Sequence, residues 1–192
     1  MIGIGEDCKK LSTFLHNVDK GYTVTGKLGV ATDTLDGTGD VTEEKPWEHI
    51  TRQDLEKVLV DFHGEVTQVP PLYSALKVGG KRLSDRAREA SAQGKACDVA
   101  PQPRQVTIHS ISLTEFNPPH FTVKVLCGSG TYMRSLVRDI GTKLGTVAHM
   151  EHLHRTQHGP FSLDDALCKS KWTVSDIQSA IDNSSSKVTK KQ

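Results

Sequence analysis

A chain of 192 residues with 35% hydrophobic residues is long enough for one domain with a sizeable core and too apolar for a disordered segment. Lys and Arg total 24 against 23 Asp and Glu, so the formal net charge of +1 excludes a strongly basic or acidic protein and names no partner by itself. The four cysteines (Cys8, Cys97, Cys127 and Cys168) form no C-x-x-C pair, no apolar run approaches transmembrane length and the start lacks a signal-peptide pattern, so a soluble intracellular protein in a reducing compartment is expected, with nucleus, cytosol and mitochondrion all open.

Met1 to Gly5 reads as the end of a strand entering a turn, with no strand body before it. Leu11, Phe14, Leu15 and Val18 follow helical spacing. Tyr22, Val24, Gly26, Leu28 and Val30 alternate with polar or small residues and predict a half-buried strand. The Thr-, Asp- and Gly-rich run 33–40 predicts a loop. Thr51 and Asp54 form a capping box ahead of the apolar stripe Leu55, Val58, Leu59 and Phe62, with Gly64 ending that helix. Pro70-Pro71 breaks the chain before Tyr73, and 84–93 predicts a charged surface helix closed by Gly94. Val106/Ile108 and Ile111/Leu113 are alternating pairs one residue out of phase, which a bulge near His109-Ser110 reconciles. Phe121, Val123, Val125 and Cys127 predict a strand, Gly128-Ser129-Gly130 a turn. Met133, Leu136, Val137, Ile140 and Leu144 predict a helix with Thr131 as N-cap and Gly145 past its end. Ser162 and Asp165 form a second capping box, and the tail from Asn183 reads as disordered.

Alternating strands between short helices argue for an α+β fold: a mainly antiparallel mixed sheet with flanking helices. The division expected is a domain over 1–168, then a short helix and disordered tail over 169–192.

Charge is unevenly spread. From Ala31 to Asp61 nine acidic residues face three basic ones; from Lys77 to Glu89 the five basic residues Lys77, Lys81, Arg82, Arg86 and Arg88 face two acidic ones. The second stretch suits a phosphate-facing strip or a solvated charged helix. Tyr73, after the rigid Pro-Pro and before Gly79-Gly80, suits an aromatic platform for a splayed base beside that strip, or a core tyrosine beside a basic turn. Arg134 falls in a first helical turn, where the macrodipole disfavours a cation. A compensating carboxylate partner is expected, or else a surface arginine tolerated at small cost. Tyr132 lies in the same turn. His149, His152, His154 and His158 match no zinc spacing, so no metal site is assigned; histidines and Arg155 exposed towards RNA fit better.

The runs Pro70-Pro-Leu-Tyr-Ser-Ala-Leu-Lys77 with Gly80-Lys81, Gly130-Thr-Tyr-Met-Arg134-Ser-Leu, Asp139-Ile-Gly141, Leu144-Gly145, Arg155-Thr156 and Gly159-Pro-Phe-Ser162 through Leu167 resemble, in order, the TruB family of tRNA pseudouridine synthases. Lys20-Gly-Tyr22 followed by Leu28 through Thr34 resembles that family's K-x-Y strand and acidic loop. The resemblance covers about residues 1–168 and is most similar to the eukaryotic branch. It implies the pseudouridine synthase catalytic-domain fold without its N-terminal strands, and isomerisation of a T-arm uridine of tRNA, position 55, without metal or organic cofactor. It implies that Tyr73 packs on the flipped base, that Tyr132 is a second active-site tyrosine, that Arg134 pairs with the catalytic aspartate and that Leu153 lines the base pocket. Lys20, Tyr22, Lys77 and Lys81 match structural or RNA-facing positions. The partner implied is tRNA through its T-arm, or another structured RNA, bound by a monomer.

The family's nucleophilic aspartate ends a Leu-Asp loop that precedes the strand in which this sequence opens, and no match to that loop is found. Thr34-Leu35-Asp36 imitates its end but follows Lys20-Gly-Tyr22, so Asp36 is rejected as the nucleophile. Arg134 is then expected to lack its carboxylate, and the chain to be inactive alone. A synthase impaired in this way, an RNA-binding module without catalysis and a partial gene model are the readings carried forward.

Overall fold

The computed structural model describes residues 17–188. In chain order the elements are β1 (Lys20–Leu28), β2 (Val30–Thr32), β3 (Val41–Glu44), α1 (Arg52–Val60), β4 (Gly64–Gln68), β5 (Lys77–Val78), β6 (Lys81–Arg82), α2 (Leu83–Ala92), β7 (Arg104–Asn117), β8 (His120–Cys127), α3 (Met133–Lys143), β9 (Ala148–His158), β10 (Phe161–Ser162), single 3₁₀ turns at Leu163–Asp165 and Lys169–Lys171, and α4 (Val174–Val188). Six strands form one sheet in the order β10-β9-β1-β8-β7-β4, and every neighbouring pair is antiparallel. The expected α+β class with an antiparallel sheet and flanking helices is what the chain adopts.

Alternation decides which face is covered. Tyr22, Val24 and Leu28 of β1, Val123 and Val125 of β8 and Ile108 of β7 are buried against Leu55 and Leu59 of α1 and Met133, Leu136, Val137 and Ile140 of α3. The residues between them, such as Thr23, Thr25 and Lys124, face the other way and keep solvent contact. At Gly26 a side chain has no room: its Cβ would lie 2.5 Å from Phe121 Cζ and 2.8 Å from Val137 Cγ1. The missing side chain therefore sets how closely α3 approaches β1. The bulge expected near His109-Ser110 is present as a register shift between Ile108 and Ser110, so β7 is one bent strand.

The capping box at Thr51 is also present: Thr51 Oγ1 accepts the Asp54 N–H at 3.2 Å and Asp54 Oδ2 accepts the Thr51 N–H at 3.0 Å. Thr51→Ala removes one half of that exchange and is expected to cost about 1 kcal/mol, read as a lower urea midpoint at unchanged slope.

Several boundaries differ from the sequence reading. The first strand stops at Leu28, because Gly29 has φ +88° and packs on Trp47, so Val30 belongs to β2. Helix α1 ends in a C-cap at Asp61, and Gly64 opens β4 instead of closing the helix. Tyr132, not Thr131, is the N-cap of α3. The second capping box starts one 3₁₀ turn. The stretch 183–188, read as disordered, continues α4. Strand β9 was not expected: Leu153, His152, His154 and Arg155 are exposed, so no apolar alternation marks it. The strand end at Met1–Gly5 and the helix through Leu11, Phe14 and Leu15 fall outside the described residues. Among the described residues no helix is long and apolar enough to cross a membrane, and Cys97, Cys127 and Cys168 are free thiols.

Candidate functional site

Arg134 is the centre. It sits in the first turn of α3, and its side chain crosses to two loops. Nη1 donates to Asp36 Oδ2 at 3.0 Å and to the Thr34 carbonyl at 2.9 Å; Nη2 donates to the Tyr73 carbonyl at 2.7 Å. The sequence reading left Arg134 without a carboxylate; the structure corrects this, and the partner is the residue that reading rejected as nucleophile. A carboxylate compensates a cation at a helix start, where the macrodipole alone repels it.

Asp36 is itself tightly held. Its Oδ1 accepts from Thr34 Oγ1 at 2.8 Å, Thr38 Oγ1 at 2.5 Å and the Thr38 N–H at 3.1 Å. Partial burial alone pushes the Asp36 carboxyl up, but the Thr38 and Thr34 hydrogen bonds and the Arg134 charge outweigh it and leave the group below its ordinary range. The loop is fastened to β9: Met150 N–H donates to the Leu35 carbonyl and Gly37 N–H to the Met150 carbonyl, each at 3.0 Å. Leu35 takes φ +62°, a left-handed conformation that a leucine holds only when its surroundings impose it.

The loop between β4 and β5 is stitched to α3. Ser135 Oγ and Arg138 Nη2 both donate to the Val69 carbonyl, at 2.7 and 3.3 Å. Gln68, 2% exposed, spans the gap in the other direction. Its Oε1 accepts the Tyr132 N–H at 2.8 Å and its Nε2 donates to the Tyr132 carbonyl at 3.0 Å. Helix α3 has no side-chain cap of its own, and Gln68 takes that task from another strand.

Tyr73 and Tyr132, both half-buried, are thus fixed by their backbones against α3. Along the same face of the sheet, Tyr22 is buried with the Arg155 guanidinium 5.6 Å from its ring centroid. Burial raises the Tyr22 hydroxyl above its usual value, against the pull of Arg155. Leu153, 48% exposed, stands opposite Val24 on β9. Lys20 opens β1 and donates to the Val18 carbonyl at 2.8 Å; burial first, then Arg155, lowers its pKa. Lys77 and Lys81 are not part of this face. They lie on the small β5–β6 ribbon, exposed, with Lys81 hydrogen-bonded to Glu89. Arg86 meets Asp98 and Arg88 meets Asp85, so much of the basic strip is neutralised locally. His149 Nδ1 donates to the Val30 carbonyl at 2.9 Å. Among the described residues no group of His, Cys, Asp and Glu is arranged to hold a metal ion. A groove of about 470 Å³ beside Leu59, Val60, Ile111 and Leu113 contains none of these residues.

Sequence reasoning found Arg134 and both tyrosines but missed Gln68, Ser135 and Arg138. Nothing local marks them, since their partners lie 64 to 69 residues away.

These features define an α+β domain built on one six-stranded sheet, whose polar centre is a helix-borne arginine tying an acidic loop to a Pro-Pro-Tyr loop. The chain belongs to the TruB family of pseudouridylate synthases: the model for the N-terminal domain of that family matches residues 1–133, and a tRNA pseudouridylate synthase B C-terminal domain matches residues 134–190. The boundary between them cuts the start of α3, and the sheet runs through it, with β9 paired to β1. The chain is 49% identical to human pseudouridylate synthase TRUB1 over 97% of its own length and 52% of that protein's. It is 41% identical to tRNA pseudouridine synthase B of Geotalea uraniireducens over 89% of its own length and 53% of that protein's. The chain therefore spans about half the length of the curated relatives it matches. Among solved structures, a chain of a Cbf5-Nop10-Gar1 complex superposes with a TM-score of 0.60 at 24% identity, covering 86% of this chain and 38% of that one, a likeness of fold.

Proposed function

We propose that this chain holds a uridine of a tRNA T-arm, position 55, in the manner of a TruB-type pseudouridine synthase. In that reading Tyr73 and Tyr132 place the extruded base, Leu153 lines its pocket, Arg134 orders the acidic loop beside it, Lys20 faces the RNA with Tyr22 as its buried support, and Lys77 and Lys81 face the RNA from the separate β5–β6 ribbon. The isomerisation itself breaks N1–C1′, joins C5 to C1′ and moves a proton from C5 to N1, so its balance calls for no metal or organic cofactor. The observation that supports the reading best is Arg134, whose fork draws Asp36, Thr34 and Tyr73 to the start of one helix in a chain of this family.

The geometry of Asp36 supports a finer point. Both of its oxygens are engaged, three donors on Oδ1 and Arg134 on Oδ2. A carboxylate so saturated is a weak nucleophile and a good structural anchor. We therefore assign Asp36 to positioning, and propose that the 192 residues alone bind RNA without turnover. Tyrosine is no substitute, since an unperturbed phenol ionises near pH ~10.

The test is tritium release from C5-labelled uridine in a T-arm hairpin, run beside a gel-shift titration and with a catalytically active homologue as control. Binding that weakens as salt rises, with no release above the blank, is the expected result. Release by the natural chain would overturn the reading of binding without turnover, and its abolition in an Asp36→Asn chain that still binds the hairpin would show that the step needs the Asp36 carboxylate. Absence of binding at low salt would remove the RNA reading altogether.

A further inference from the structure

Several partly buried cations of the molecule sit against carboxylates, among them Lys27 on Glu151, Arg134 on Asp36 and Arg138 on Asp139. Two cations at the start of β1 and the end of β9 do not. Lys20 lies opposite His158 and Tyr22 opposite Arg155 in the β1–β9 register, with a bulge at Gly21/Tyr22 between the two pairs. Cross-strand partners share a face, so Lys20, Tyr22, Arg155 and His158 all stand on the side of the sheet that carries Leu153 and Val24.

Arg155 is held from two directions. The Tyr22 ring lies under its guanidinium at 5.6 Å, and Nη1 donates to His158 Nδ1 at 3.4 Å. That bond needs a neutral imidazole. Burial first, then the charges of Lys20 and Arg155, keep the His158 pKa below the usual histidine value. His158 Nε2 is buried without a hydrogen-bond partner among the described residues, an arrangement that native structures keep only where something is gained. The remaining guanidinium N–H groups, and the Lys20 ammonium beyond its bond to the Val18 carbonyl, form no salt bridge among the described residues, and the nearby Asp19 charge only partly opposes burial and Arg155 at Lys20. Each cation disfavours the other: Arg155 contributes to the lowering at Lys20. Two cations without a salt bridge, one of them fixed in plane by a ring and an imidazole, repel each other, and an anion between them removes that cost. A planar fork suits an acceptor with paired oxygens, and an RNA backbone offers phosphate.

We propose that Lys20 and Arg155, with His158 holding Arg155 in place, form a subsite for one backbone phosphate of the bound RNA. The RNA rests on the proposed function above; the anion site rests on the geometry alone.

The test has two parts on the full chain. First, inorganic phosphate is titrated while the histidine ring resonances are followed by NMR at fixed pH, His158 being assigned through His158→Gln. His152 and His154 serve as internal controls, since they pair with Thr25 and Thr23 on the opposite face. A saturable shift at His158 that spares both controls is expected. No shift, or equal drift of all rings, overturns the subsite. Second, T-arm hairpin affinity is measured against salt for the natural chain, Arg155→Gln, Arg155→Lys and Lys20→Gln. Arg155→Gln and Lys20→Gln should weaken binding roughly 10- to 100-fold, the range of a charge-assisted hydrogen bond, and each should reduce the salt slope by about 1. Arg155→Lys should keep the slope. Weakened binding with an unchanged slope overturns the phosphate contact while leaving RNA binding intact. A saturable phosphate shift at His158 with no hairpin binding by the natural chain keeps the anion site and overturns RNA as its occupant.

Discussion

Arg134→Met is expected to lower the stability of this chain by about 3 kcal/mol, the range for breaking a partly buried, multiply hydrogen-bonded ion pair. The methionine stem keeps the packing of the first turn of α3 but leaves three acceptors without their donor: Asp36 Oδ2 and the carbonyls of Thr34 and Tyr73. Both members of the pair are only 22% exposed, so water replaces the guanidinium poorly. The exposed pair Arg52–Glu56, with each side chain 50% exposed, is the contrast: Arg52→Met should cost about 0.5 kcal/mol or less. Urea unfolding followed by circular dichroism reads both. Arg134→Lys should recover only part of the loss, because one ammonium cannot span two loops as a fork does. The pair also carries a pH signature. Asp36 has its folded pKa below the unfolded value of 3.8, so its stabilisation is present above that value and is lost as pH falls through the lower, folded one. Asp36→Asn should remove this part of the acid dependence. Equal acid sensitivity in the natural and Asp36→Asn chains would show that the carboxylate is not charged-state stabilised.

Gln68→Leu is expected to cost about 2 kcal/mol, although leucine fits a site that is 2% exposed. The loss comes from the Tyr132 N–H, a helix-start donor whose acceptor is Gln68 Oε1 at 2.8 Å. The Tyr132 carbonyl loses less, since it still accepts from the Leu136 N–H at 3.0 Å. The effect is local as well as global. Hydrogen exchange should quicken over 132–136 while 137–140, deeper in the helix against the sheet, changes only in step with overall stability. Uniform change along α3 would mean that Gln68 acts through packing and not as the cap. If Tyr132 touches RNA, hairpin affinity should fall beyond what the loss of folded protein explains.

The two variants probe one design. Helix α3 receives the β4–β5 loop through Ser135, Arg138 and Arg134, and the acidic loop through Arg134 alone. Each loop carries one residue of the polar centre, Tyr73 in one and Asp36 in the other. Asp36 fastens its loop through its side chain, whereas the tyrosines are held by their backbones. Tyr73 is held through its carbonyl and Tyr132 through both of its backbone polar groups. Such preorganisation suits a site that must hold an extruded base.

Local and periodic features were legible in the sequence because their causes are local. The stripe of α1 and its capping box, the buried alternation of β8 and the phase slip that becomes the β7 bulge all arise between residues a few positions apart. The need of Arg134 for a carboxylate was legible for the same reason: a cation in a first helical turn conflicts with the dipole of its own helix. Which carboxylate answers that need was not. Asp36 lies 98 residues away and reaches Arg134 only because its loop is hydrogen-bonded to β9, a strand with no apolar alternation to announce it. Gln68, Ser135 and Arg138 were hidden likewise. A buried glutamine and a serine in a helix look ordinary until the sheet order β9-β1-β8-β7-β4 brings the end of β4 to the start of α3. Chain neighbours fix the elements through periodicity and capping. The tertiary fold alone decides which polar groups meet, because side-chain hydrogen bonds act over about 3 Å, a distance that sequence separation does not predict.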